Sequence, residues 1–141
     1  MTIDAFLDTN VLVYAAYPAP GEDHKHEVAL NLIQSHPFSV STQVMLEFLN
    51  TTTRKRKPGL SLDQARQWLD DFSVSPVIGV DEALVLEGVE LAIRYKIVFW
   101  DGAIIAAANR AGATTLYTED LNHGQKYGAV QVINPFKNLQ N

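Results

Sequence analysis

Along the whole chain, short runs of branched and aromatic residues alternate with longer runs of helical period, and proline or glycine stands at most of the joins. Such alternation constrains the fold strongly, because parallel strands need a long crossover between them and a helix supplies it. Strands are expected over 3–7, 38–41, 76–80, 114–117 and 129–133. Helices are expected over 11–17, 23–35, 42 to about 54, 61–72, 81–95 and 102–111, with a polar loop over 118–128. Pro18, Pro20 and Gly21 stop the first helix, His36 and Pro37 the second, and Gly112 closes the last. Thr42 and Ser61 stand where an N-cap hydroxyl is wanted. Val28, Ala29 and Leu32 mark one inner face, and Ala83, Leu84, Leu86, Val89, Leu91 and Ile93 recur at helical spacing along the longest helix. The fold expected is α/β: a parallel, doubly wound sheet of about five short strands with helices on both faces. At 141 residues, without repeat or linker, it is a single domain over 1–141.

Composition removes several classes of function. The chain has no cysteine, so disulfides, thiol nucleophiles and cysteine-bound zinc are excluded, and any metal must be held by oxygen or imidazole. Asp4 and Asp8 lie where a signal peptide needs a basic start, and no apolar run is long enough for a bilayer, so a cytoplasmic protein with no membrane partner is expected. A formal charge of −5 leaves no globally basic surface, so a polyanionic partner would have to be drawn by local patches.

In a doubly wound sheet, reactive groups collect where strands end and helices begin. Asp8 follows the first strand, Asp120 lies three residues beyond Tyr117, and Glu47 sits within two turns of the helix start after the second strand. Asp101 opens its helix and joins the others if the stretch 95–100 returns the chain to the same edge. Two carboxylates about 5 Å apart repel by roughly 3 kcal/mol at an effective dielectric near 20. A divalent cation removes that conflict, and hard oxygen donors favour Mg2+ or Mn2+, one ion or two. Hydrolysis of a phosphodiester suits such a centre.

The ordered set of Asp8-Thr9-Asn10, Glu47, Trp100-Asp101-Gly102, the stretch from Thr118 to Gly124 and Asn134-Pro135-Phe136 resembles the PIN-domain family, in particular VapC-type toxins, over almost the whole chain. The resemblance implies a metal-dependent ribonuclease whose acidic constellation is Asp8, Glu47, Asp101 and Asp120, with Thr9, Asn10 and Thr118 as supporting polar groups. It also implies a cognate antitoxin in the active-site groove and a homodimer. Gly102 stands where alanine is more usual, which would loosen the helix start, and Glu119 is an additional acid.

Each of these residues also has a plainer role available. Asp8 suits an N-cap, with Thr9 an alternative cap, and Asp101 suits the positive end of a helix dipole. The basic run Arg54, Lys55, Arg56 and Lys57 complements a helix C-terminus, yet Arg54 lies seven residues beyond Glu47 on nearly the same face and could contact an RNA phosphate. His24, His26 and His36 are expected at the surface, and His123 is a candidate substrate contact. Two other activities use acids at a sheet edge. An aspartate-nucleophile phosphatase wants a second Asp two residues after the first, where this chain has Asn10, and a receiver-like signalling domain wants a lysine after a late strand, where it has Thr118.

Overall fold

The computed structural model describes residues 3–137. In chain order these form β1 (Ala5–Leu7), α1 (Thr9–Ala16), α2 (Asp23–Ser35), β2 (Phe38–Ser41), α3 (Thr42–Asn50) with a following π-turn (Thr51–Lys55), α4 (Leu62–Phe72), β3 (Val77–Ile78), α5 (Glu82–Tyr95), α6 (Phe99–Arg110), β4 (Thr115–Tyr117), β5 (Lys126–Tyr127) and β6 (Val130–Ile133). The sheet has six strands in the order β3-β2-β1-β4-β6-β5. All neighbouring pairs are parallel except β5 with β6.

That order places a topological switch between β1 and β4, since the chain builds outward from β1 through β2 and β3 and then returns to β1's other side. Clefts for ligands open at such points, at the carboxyl ends of the strands. Leu7 pairs with Tyr117, and Tyr117 with Ile133, so β1, β4 and β6 end level. The backbone continues the ladder one step further, where Asp8 N–H donates to Tyr117 O and Thr118 N–H to Ile133 O, both at 3.1 Å. Asp8 and Thr118 therefore leave the sheet side by side.

The core is continuous from Phe6 and Leu7 through Val11 and Leu12, Val40, Phe48, Phe72 and Ile104–Ala108 to Leu116 and Val132, all buried. Burial at about 25 cal/mol per Å2 of apolar surface is the term that binds the layers. Phe72 anchors α4 by edge-on contacts to Phe38 and Phe48, and a reciprocal Ser61/Gln64 capping box starts that helix as the sequence suggests.

Three expectations change. The polar loop over 118–128 contains β5, which turns through Gly128 (φ 64°) and Ala129 to pair antiparallel with β6. The sheet thus has a sixth, antiparallel strand. Ser41, not Thr42, caps α3, accepting from Val44 N–H at 3.2 Å, because β2 runs directly into the helix and Ser41 is the last extended residue. The Thr42 hydroxyl accepts from Val80 N–H instead. On α5, Leu84 and Gly88 are buried, whereas Val85, Leu86, Val89 and Ile93 are exposed. Its apolar pattern is wider than the face that α6 covers.

Candidate active site

Asp8 is both cap and candidate acid. It caps α1 with extended backbone, and Oδ1 accepts from Thr9 N–H at 2.7 Å while Oδ2 accepts from the Thr118 hydroxyl at 2.8 Å. The same Thr118 oxygen accepts from Asn10 Nδ2 and from Asp120 N–H, each at 3.1 Å. One donor and two acceptor positions exhaust a hydroxyl. Asn10 Nδ2 also donates to Asp120 Oδ2 at 3.2 Å, and Asn10 Oδ1 accepts from Glu119 N–H at 3.4 Å. The first turn of α1 and the loop after β4 are thereby laced into one unit holding Asp8 and Asp120.

Glu47 enters from α3. Its Oε1 accepts from Gln43 Nε2 at 3.0 Å, and Oε2 lies 3.5 Å from the Thr9 hydroxyl. Asp101, half-buried, arrives in the first turn of α6. The link from α5 is only Lys96–Val98, with Lys96 in the left-handed region (φ 56°). α6 then folds back along α5 until Arg110 reaches Asp81 at the start of that helix, at 3.0 Å. Gly102 permits the approach: a Cβ there would lie 2.2 Å from Gly88 O, and one on Gly88 would lie 2.9 Å from Ala103 N. The glycine expected to loosen the helix start is what lets α6 close on α5.

Charge accumulates at this edge. Asp8 is 5% exposed, and its carboxyl is pushed up to about 7 by burial, against the pull of Thr118 and Thr9 and with help from the charges of Asp120 and Glu47. Asp101 is likewise raised, first by burial and then by Asp120 and Glu47. Among the described residues, no Lys, Arg or His is paired with any of these four acids. Nor do three His, Asp or Glu side chains there converge closely enough to cage an ion. An uncompensated cluster of hard oxygens without a ready cage fits Mg2+ or Mn2+, which take one or two carboxylates and keep several waters.

An open groove of about 1170 Å3 runs over the edge, lined by Thr9, Asn10, Glu47 and Asp120, by the apolar Leu46, Val85, Val89, Phe99 and Trp100, and by Lys55 and Arg56. Of the basic run, Arg54 and Lys57 do not line it. The i→i+5 turn over Thr51–Lys55 is wider than an α-turn and moves the groove-facing position on by one residue. Arg56 is already engaged by Glu22 and Tyr17 O, both at 3.3 Å.

Other residues settle into structural roles. Glu119 accepts from the Tyr14 hydroxyl and pairs with Lys25 at 2.9 Å, tying the β4 loop to α1 and α2. Burial and Glu119 push Tyr14 up to about 12. His123 accepts from Asn134 N–H at 3.0 Å through Nδ1, which fastens the loop after β4 to the end of β6. His26 is half-buried, its ring nitrogen 2.8 Å from Tyr14 O, while His24 and His36 are exposed. Gln43 was not visible as a site residue from sequence. Its signal was an amide four residues before Glu47, one helical turn away.

The PIN domain family profile matches residues 5–128, most of the chain. The chain belongs to the PIN domain family. Comparison with curated proteins finds no match. Among solved structures, this PIN domain is similar to a toxin-antitoxin complex from Klebsiella pneumoniae (TM-score 0.69, 18% identity, 93% of this chain and 97% of that one). It is similar also to the Mycobacterium tuberculosis toxin VapC20, described as cleaving the sarcin-ricin loop (0.62, 20%, 82% and 91%). A third is VapBC2 from Rickettsia felis bound to a promoter DNA fragment (0.60, 21%, 91% and 96%). At these identities the likeness establishes the shared fold.

Proposed function

We propose that this PIN domain is a divalent-cation-dependent endoribonuclease and the toxin of a toxin-antitoxin pair. The observation that carries the reading is the gathering of Asp8, Glu47, Asp101 and Asp120 from four elements at one sheet edge without a paired cation. Asp8 and Asp101 would hold Mg2+ or Mn2+; Glu47 would join them or accept a proton from the attacking water; Asp120 would serve a second ion or orient that water. When bound, the cation supplies neutralising charge, an acidified water and polarisation of the phosphoryl oxygens.

The protein's own contribution is arrangement. Thr118 and Asn10 hold Asp8 and Asp120 in fixed orientation with neutral donors, which leaves their charge uncancelled. The groove gives a single strand room to lie across the acids, and Lys55, exposed and unpaired with any acid among the described residues, can meet a flanking phosphate. Leu46, Val85, Val89, Phe99 and Trp100 line the same groove while 40% to 68% exposed. Contiguous exposed apolar surface of this kind suits a protein cover. The neighbouring structures described as toxin-antitoxin complexes support a cognate antitoxin in that place, and the uncovered side of α5 supports a homodimer.

Incubating RNA with the purified protein and Mn2+, Mg2+ or EDTA tests the reading. Cleavage is expected with either cation, none in EDTA, and none from Asp8→Asn of unchanged circular dichroism. Wild-type cleavage by Asp8→Asn would overturn the assignment. A small adjacent reading frame for a DNA-binding protein is the expected genetic sign of the antitoxin.

A further inference from the structure

Gln43, the second residue of α3, is 7% exposed, and its Nε2 makes two contacts. It donates to Glu47 Oε1 at 3.0 Å and to the backbone carbonyl of Trp100 at 3.2 Å. An amide nitrogen carries two hydrogens, one for each acceptor. Turning the amide over would set its oxygen against a carboxylate and a carbonyl, so the chemistry fixes which end faces them. Trp100 immediately precedes Asp101 in the first turn of α6. One neutral side chain therefore joins the helix that carries Glu47 to the turn that carries Asp101.

We propose that Gln43 is a positioning residue whose amide fixes the Glu47 carboxylate relative to the first turn of α6, so that Glu47 and Asp101 face one divalent cation together. The proposal rests on the nuclease reading for its consequence in catalysis. The core holds α3 and α6 in place, but the charge of Glu47 opposes that of Asp101, so the two carboxylates need a tie to face one point. A lysine at position 43 would tie them too, but its charge would cancel part of what attracts the cation. Glutamine orients without neutralising. Asparagine, one methylene shorter, cannot span both acceptors.

The test compares wild type, Gln43→Met and Gln43→Asn, each also in a Glu47→Gln background, by calorimetric titration with MnCl2 and by RNA cleavage kinetics. Unfolding midpoints in EDTA establish that each variant is folded. Both single variants are expected to bind Mn2+ about 10-fold more weakly, the usual scale for losing a partner that orients a metal-binding group. Their kcat falls with KM for RNA unchanged. In the Glu47→Gln background the same changes at position 43 should have no further effect, because a residue that acts through another is non-additive with it. Unchanged Mn2+ affinity in both variants overturns the proposal, as does an equal loss in the two backgrounds, which would mean general damage to the fold. A wild type that binds no Mn2+ overturns it as well. If Mn2+ affinity changes as expected while wild type cleaves no RNA, the positioning role stands and the nuclease reading falls.

Discussion

At Asp8, burial and neighbouring negative charge act on one carboxyl. Its carboxyl titrates near 3.8 in an unfolded chain and at about 7 in the fold, so between those values the folded protein holds more protons. The stability of the cation-free protein must then fall as pH rises from about 4 to about 7 and level off above. Asp101, raised in the same sense, adds to the slope. Thermal melts in EDTA should give a higher midpoint at pH 5 than at pH 8, and Asp8→Asn, which has no carboxyl to titrate, should flatten the decline. An undiminished slope in Asp8→Asn would locate the titration elsewhere. The two roles read for this residue, cap and acid, coexist: the backbone amide of Thr9 satisfies one carboxylate oxygen and the Thr118 hydroxyl the other. Asp8 and Asp120 were legible in sequence as acids after strand ends and Glu47 as an acid early in the helix after β2, whereas Asp101 depended on the short link Lys96–Val98 returning the chain to that edge. Asn10 and Thr118 were expected as supporting polar groups; what was hidden is Gln43 and which acid each neutral donor serves, since hydrogen-bond direction between distant segments leaves no local pattern.

Among the elements, the pair α5 and α6 sets the position of Asp101 through the contact of Gly88 with Gly102. In an isolated helix, Gly102→Ala would gain about 1 kcal/mol of propensity. Here the added methyl meets a carbonyl oxygen 2.2 Å away, and overpacking of this kind costs about 1–3 kcal/mol. Gly102→Ala is therefore expected to lower the melting midpoint by a few degrees and to slow cleavage by displacing the first turn of α6; a raised midpoint with full activity would refute this. Elements with chemical punctuation were read from sequence to the residue: α2, bounded by Gly21-Glu22 and His36-Pro37, and β2, between Pro37 and a capped helix. β5 escaped because two residues, Lys126 and Tyr127, carry no periodicity. The exposed side of α5 escaped because apolar spacing records which residues avoid water and not what covers them.

For the whole molecule, the proposed cation centre would tie stability to cation supply. Mn2+ at about 100 times its dissociation constant should add roughly 2.7 kcal/mol and raise the midpoint by roughly 5–10 °C, with Na+ at matched ionic strength giving no such rise. An unmoved midpoint at saturating Mn2+ would count against the centre. The architecture was predictable at this scale because strand-helix alternation and right-handed crossovers leave few topologies open. The rims of the sheet bear on assembly. β3 and β5, its two outermost strands, are two residues each, and β5 runs counter to its neighbour. Neither offers enough open backbone to template a strand from another polypeptide. Growth of one continuous sheet from copy to copy is thus disfavoured at both rims, which leaves helices and loops as the surfaces a partner would meet.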